Sequence, residues 1–386
     1  MKKPGLRVAV LVPTASQWGR GVIEGIQNFV RKEGLWELFV EARGENEELF
    51  LPEGWDGDGV IARIQGVKMA RALKRAQLAV VNVSRIRLRG FDFPRVCTDL
   101  SAVARVAVDH FLDRGFRSFG YFSLRRASYV LDHRRAFSAC LQQQGLQCAV
   151  YSGNSGSKQS SDWQSDLVGT AAWLESLPKP VGIFTWNASS GRQLLRGAER
   201  AGLNVPEDVA LLSGVDDDLL CELPGIPISG IAGATQTIGH EAATVLKQLF
   251  SSKANTRRDW LIPPLGVVTR QSTDTLAIPD QTLASAVRFI RDHAAQPIQV
   301  QDVLNHVAVS RRSLERMFGR VLKRTPAQEI RRVHFERAKH LLEQTDLFEP
   351  DIAAASGYGS TEYMVYVFGK ELGLTPLQYR KRVRSR

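Results

Sequence analysis

Short apolar runs alternate with amphipathic stretches over residues 6–276. Runs rich in Val, Ile and Phe at 7–12, 59–64, 79–83, 118–122, 182–185, 209–214 and 228–232 read as strands. Between them, 19–32, 67–75, 102–114, 134–144, 165–175, 191–201 and 237–250 place apolar residues at helical spacing. Strands that are nearly unbroken in apolar character and alternate with helices predict parallel sheets covered on both faces. Such sheets bind ligands beyond the carboxyl ends of their strands. The Gly- and Ser-rich stretch 153–161 reads as a surface loop, and 271–282 as a linker.

From Leu283 onward the period is helical throughout, and one pattern is written twice. Residues 300–318 and 350–368 each give a short apolar-periodic helix, a tight turn, and a second helix opened by a capping Ser, at Ser310 and Ser360. Gly357 suits a positive φ in the second turn, whereas Ala308-Val309 fill the first without a glycine. Leu314, Phe318 and Val321 recur at i, i+4 and i+7, which turns Arg311, Arg312, Glu315 and Arg316 outward. In the second copy Met364 and Phe368 point in, leaving Ser360, Thr361, Glu362, Tyr363 and Tyr366 toward the open side. A short helix rich in outward arginine, set behind a helix and a turn, has the build of a major-groove reading head. The periodic stretch 327–344 would hold two such heads at a fixed separation, and successive major grooves lie about 34 Å apart. The competing interpretation is an ordinary helical bundle with a solvated basic face.

This stretch resembles the DNA-binding domain of AraC/XylS-type transcription regulators. The resemblance rests on Leu314-Glu315-Arg316-Met317-Phe318, Arg337-Ala338 with Leu341-Leu342, Ala353 to Tyr358, Gly373-Leu374-Thr375-Pro376 and Tyr379-Arg380. Met364, Val365 and Gly369 depart from the family pattern. The resemblance implies an all-α domain with two helix-turn-helix units over residues 277–386, binding operator half-sites in double-stranded DNA.

Charge sharpens that picture. The chain of 386 residues carries a formal +11, which favours a polyanionic partner. Residues 280–386 hold 18 Lys and Arg against 12 Asp and Glu, so a net +6 sits in the last quarter or so. At 44% hydrophobic the chain can bury full cores. Cys97, Cys140, Cys148 and Cys221 are scattered, without metal spacing, and read as reduced thiols. Met1-Lys2-Lys3 before the first apolar run faintly mimics a signal peptide, but the run is short and stops at Pro13. The expected location is the cytoplasm, with no membrane segment, no metal and no cofactor. No phosphate-binding glycine loop, nucleophile elbow or paired His/Cys signature supports an enzyme.

Residues 1–276 resemble the sugar-binding core of LacI-type repressors and periplasmic binding proteins, an α/β fold of two lobes. The resemblance is carried by Trp55 to Ile61, Cys97-Thr98-Asp99, Gly202 to Val209, Leu212 to Asp217 and Ile238 to Ala243. The first strand begins close to Met1, so no LacI-type DNA-binding head is expected ahead of it. A sensor of this kind followed by an AraC-type domain is the arrangement of xylose-operon activators, which the chain resembles throughout. That implies passages between the lobes near Gly115, Ile231 and Leu249, a small sugar effector, a homodimer, and contact with RNA polymerase.

Residues at the strand ends are the candidate ligand contacts. Ser16, Gln17, Trp18 and Arg20 follow the first strand, and Arg63 ends the second; Trp186 and Asn187 follow 182–185, and Asp216 and Asp217 follow 209–214. Sugar recognition uses planar bidentate groups for vicinal hydroxyls and an aromatic plate for the apolar ring face, the plate here being Trp18 or Trp186. Equally open at this level are a solvated loop for the Asp216 run, core packing for the two tryptophans and a local pairing for Arg20. Compared with the xylose-activator pattern, Arg63 and Asn187 replace a carboxylate, and His133 stands where an arginine reaches the ligand. Gly233 replaces a polar residue. Arg20 and Arg63 make an acidic sugar conceivable. The rival reading is a sugar-binding protein of transport type with no direct role at DNA.

Overall fold

Apolar runs without alternation become strands buried on both sides. In the computed structural model, residues 5–33, 36–44, 47–124, 127–151, 163–223, 225–251, 259–278 and 280–384 are described. The stretch 153–161 and Met1 to Lys3 lie outside them. The chain divides into two compact units, Met1–His110 with Ser118–Asp274, and Phe111–Arg117 with Thr275–Arg386.

The first unit holds two six-stranded sheets. The first is laid down by β1 (Leu6–Leu11), α1 (Gln17–Glu33), β2 (Trp36–Val40), β3 (Gly59–Ala62), α2 (Val67–Arg75), β4 (Ala79–Asn82), β5 (Arg95–Thr98) and α3 (Leu100–Leu112). The second takes β6 (Ser118–Phe122), α4 (Ser128–Gln143), β7 (Ala149–Val150), α5 (Trp163–Ser176), β8 (Val181–Thr185), α6 (Ala188–Arg200), β9 (Val209–Ser213), α7 (Asp218–Glu222) and β10 (Ser229–Ala232). The chain then returns to the first sheet for α8 (Thr235–Phe250) and β11 (Asp259–Ile262), and to the second for β12 (Gly266–Val268). Strand orders are β2-β1-β3-β4-β5-β11 and β7-β6-β8-β9-β10-β12, parallel except for β12 against β10.

The period of two explains why these strands tolerate apolar residues at every position. Val8 and Val10 pack into the core under α1 and α8, while Ala9 and Leu11 pack into the opposite core with Ala70 and Leu73 of α2. Helices α1 and α8 approach so closely that a Cβ on Gly25 would lie 2.0 Å from the Gln236 carbonyl oxygen. A Cβ on Gly239 would meet the Val22 carbonyl at the same distance, so neither glycine can be replaced without separating the helices.

Two expectations are corrected. The third passage between the lobes is not near Leu249, because α8 runs unbroken through that position. It falls between β11 and β12, after Ile262. The stretch 271–282 is not a linker along its whole length either. Gln271–Thr273 forms a 3₁₀ turn in which Ser272 and Thr273 have no exposed surface. The Ser272 hydroxyl donates to the Leu211 carbonyl at 2.6 Å, which binds this turn to the second sheet.

The second unit is helical: α9 (Gln281–Asp292), α10 (Val300–Val307), α11 (Arg311–Val321), α12 (Pro326–Gln344), α13 (Glu349–Ala355), α14 (Thr361–Leu372) and α15 (Pro376–Arg384). It has two cores. Leu283, Val287, Ile290, Val303, Leu314 and Phe318 make one, and Leu342, Ile352, Met364, Val367 and Phe368 the other. The long helix α12 serves both, giving Ile330 to the first and Ala338 and Leu342 to the second. No helix among the described residues is long and apolar enough to cross a membrane.

Candidate ligand cleft and nucleic-acid interface

Helices α11 and α14 each follow a serine whose side chain satisfies a free amide. The Ser310 hydroxyl accepts from the Ser313 N–H, and the Ser360 hydroxyl from the Tyr363 N–H, both at 3.2 Å. The turns before them need a left-handed residue. Gly357 supplies it at φ 73°, and Ala308 supplies it at φ 50° with a Cβ in place. Leu314, Phe318, Met364 and Phe368 are fully buried, which fixes the opposite faces outward. Arg311, Arg312, Glu315 and Arg316 are exposed on α11, and Glu362, Tyr363 and Tyr366 on α14, with Ser360 exposed before it and Thr361 half-buried. Arg311 is tied to Glu315 one turn on, at 3.1 Å. Arg312 and Arg316 are likewise one turn apart on the same face. Glu362 is held below the usual carboxylate range by its own backbone amide and the Ser360 hydroxyl, so it stays ionised as an acceptor. The Tyr363 and Tyr366 rings stack at 6.2 Å on the exposed face.

The duplication extends beyond the two helix-turn-helix units. Thr325-Pro326-Ala327-Gln328 opens α12, and Thr375-Pro376-Leu377-Gln378 opens α15, with the same interval that separates Ser310 from Ser360. In both, the threonine hydroxyl accepts from the glutamine N–H at 3.2 Å, and the glutamine side chain accepts from the threonine N–H. Helix α12 spans 19 residues, about 28 Å at 1.5 Å per residue.

In the first unit the candidate ligand residues fall at the carboxyl ends of both sheets, as the strand positions require. Most are bonded locally. The Ser16 hydroxyl accepts from the Gly19 N–H and donates to the Pro13 carbonyl, both at 3.0 Å. Arg20 donates to the Ala15 carbonyl at 2.8 Å and to that of Thr14 at 3.2 Å, the local pairing. The Asn187 side chain caps α6 by accepting from the Ser190 N–H, and Asp217 caps α7 by accepting from the Leu220 N–H. Asp216 pairs with Arg270 at 2.6 Å, their side chains only 8% and 10% exposed. Burial pushes the Asp216 carboxyl up while Arg270 pulls it down. Sequence reasoning missed Arg270 because 54 residues separate the partners and nothing local marks the pair.

Two further groupings lie at the sheet ends. On the first sheet, the Arg63 guanidinium lies 5.2 Å from the centre of the Trp18 ring, a cation–π arrangement. On the second, His133 is 2% exposed, stacks on Phe184 at 4.7 Å and lies perpendicular to the Trp186 ring at 5.0 Å, with Tyr129 also 5.0 Å from that indole. Its Nδ1 is 2.9 Å from the Tyr121 hydroxyl. Burial pushes the imidazole down to about 3, so it is neutral at physiological pH. The two sheet ends meet where the Gln17 amide donates to Asp218 at 2.9 Å and accepts from the Asp218 N–H at 3.0 Å. Among the described residues no cluster of His, Cys, Asp and Glu could hold a metal ion.

Three family models match the chain. An XylR N-terminal domain covers residues 7–100, a periplasmic binding protein-like domain 108–273, and a helix-turn-helix domain 303–382. The xylose operon regulatory protein of Haemophilus influenzae is 28% identical over 97% of this chain and 98% of its own length. The protein of the same name in Escherichia coli K12 is 27% identical over 97% of this chain and 96% of its own. The melibiose operon regulatory protein of Escherichia coli K12 is 33% identical, over 24% of this chain and 31% of its own. A solved structure of a xylose-binding transcription activator superposes with a TM-score of 0.63 at 27% identity, covering 99% of both chains. A ribose-bound LacI-family regulator from Enterococcus faecium superposes on 70% of this chain and 99% of its own with a TM-score of 0.52 at 19% identity, a likeness of fold.

Proposed function

Because this chain is an AraC/XylS-type transcription regulator with a LacI-like sensor, similar to the xylose operon regulatory proteins, we propose that a small sugar in its sensor cleft controls transcription of a sugar-utilisation operon. Residues 1–276 act as the sensor and 277–386 as the DNA-binding domain, in the cytoplasm and without catalysis. The effector is xylose-like or a sugar acid, held through Trp18, Arg63, His133 and Trp186 at the two sheet ends, with Ser16, Gln17, Arg20, Asn187, Asp216 and Asp217 around them. Binding favours one arrangement of the lobes and biases the reading heads only as far as it binds that arrangement more tightly. A homodimer then occupies tandem half-sites and recruits RNA polymerase as an activator.

The observation that supports this reading most is the pair of serine-capped helices, α11 and α14, hung on one shared helix. Arg311, Arg312, Glu315 and Arg316 read one major groove, and Ser360, Thr361, Glu362, Tyr363 and Tyr366 the next. A transport-type binding protein is not favoured, since it has no use for a helix-turn-helix domain. Arg316 carries the test. Replacing it by Ala should relax specificity at one base pair and cost about 1–3 kcal/mol, measured on a panel of duplexes selected in vitro with the full chain. Unchanged binding to every duplex in that panel would overturn the assignment.

A further inference from the structure

Three arginines and two carboxylates meet in the helical unit around a segment from the middle of the chain. Phe111–Arg117 begins in the last two residues of α3 and ends at β6, so it is the first covalent passage between the two sheets, yet it belongs to the helical unit. One carboxylate oxygen of Asp113 accepts from Arg324 at 2.9 Å and the other from Arg332 at 2.8 Å. The Asp113 carbonyl accepts from Arg291 of α9 at 2.9 Å. Arg324 and Arg332 also hold Glu329, which has no exposed surface. Four residues on, Arg117 donates at 2.6 Å to the carbonyl of Val321, the last residue of α11, where a cation complements the helix dipole.

These ties converge on the turn between the first reading helix and α12. That turn contains Lys323 in the left-handed region at φ 59°, so its geometry is specified by what holds it. Arg324 leaves the turn toward Asp113, and Arg332 meets the same carboxylate from α12. Moving Asp113 without moving both arginines would break two ion pairs whose side chains are only 20–27% exposed, so water would replace them incompletely. Among the described residues, none of these ties ends on α13, α14 or α15.

Resting on the regulator reading above, we propose that Phe111–Arg117 is a transmission segment: rearrangement of the lobe passage resets the angle between α11 and α12 and so acts on the first reading head, not directly on the second. Effector-dependent changes in DNA binding then appear at one half-site.

The test uses the full chain and needs no knowledge of the effector. In Asp113→Asn, hydrogen exchange should quicken at least tenfold over residues 318–329 and stay unchanged over 349–372; uniform quickening, or none, overturns the proposal. In a Gln17→Cys, Asp218→Cys background, a disulfide, its formation verified by mass and thiol titration, joins the sheet ends when oxidised and frees them when reduced. Affinity for a duplex selected in vitro with the wild-type chain should differ at least fivefold between the two forms, with the hydroxyl-radical footprint changing at the first head's half-site alone. The wild-type chain, titrated in parallel, corrects for its native cysteines. Adding Asp113→Asn should bring the ratio toward one, while Asp113→Glu should preserve most of it. A ratio that survives Asp113→Asn, or a footprint change at the second half-site, overturns the transmission segment and leaves the regulator reading intact. No redox difference in the parent pair overturns both.

Discussion

Residue type and strand position place the candidate ligand groups at the right ends of the sheets, but not what each atom does. Asn187 and Asp217 each follow a strand and precede a helix, and there a cap and a ligand contact call for the same oxygen. The structure uses both as caps. Asp216 is bound to Arg270, a partner brought in by the antiparallel strand β12 and the turn behind it. His133 stands where the xylose-activator pattern has an arginine, and at 2% exposure it lines the end of the second sheet among Phe184 and Trp186. Its pKa is lowered to about 3 from an ordinary 6.5. Between those values the unfolded chain binds a proton that the folded chain rejects. Stability is therefore full above pH 6.5 and falls as pH drops through the window, by about 1.4 kcal/mol per unit. Urea midpoints at pH 7 and pH 5 should show the wild-type advantage over His133→Gln shrinking by roughly 2 kcal/mol. An advantage that does not change with pH would contradict this account.

At the scale of elements, the duplicated helices were legible because a cap, a turn and an apolar stripe leave fixed spacings. The shared role of α12 was only half legible. Its period gave a helix, but the division of Ile330 to one core and Ala338 and Leu342 to the other needed the packing. That division makes the spacing of the heads a property of one rigid rod. One alanine inserted after Val333 leaves Ile330 and Val333 to the first core and Phe335, Ala338 and Leu342 to the second, and turns one head about 100° relative to the other. Binding to a duplex with both half-sites should then fall to that of a duplex with one, in a titration of both. The first turn shows the limit of residue-type reasoning. Ala308 adopts the left-handed conformation that Gly357 adopts in the second copy, a cost of about 1–2 kcal/mol that the surrounding core sustains.

For the whole molecule, alternation of strand and helix predicted covered parallel sheets, the family resemblance implied their division into two lobes, and the change of period near Leu283 predicted the helical domain. The passages between lobes were less accessible. One of three was misplaced because β11 and β12 are short, lie among residues of mixed polarity, and are strands only by virtue of their neighbours. A ligand that binds the folded sensor raises its apparent stability, by about 2.7 kcal/mol at a hundredfold excess over its dissociation constant. A thermal-shift screen of the full chain over pentoses, hexoses and sugar acids should return a hit, and a sugar-acid hit would fit Arg63 over Trp18. A screen with none would count against the sensor.

Sequence alone determined what is periodic or locally bonded: the sheets, the reading helices, their caps and their outward arginines. Those depend on side chains a few residues apart, whose spacing is written in the chain. Tertiary structure alone decided that Asp216 answers to Arg270, that one helix carries both heads, and that Phe111–Arg117 is built into the helical unit. Each joins residues far apart in sequence, and charge or burial shared across such distances leaves no local pattern.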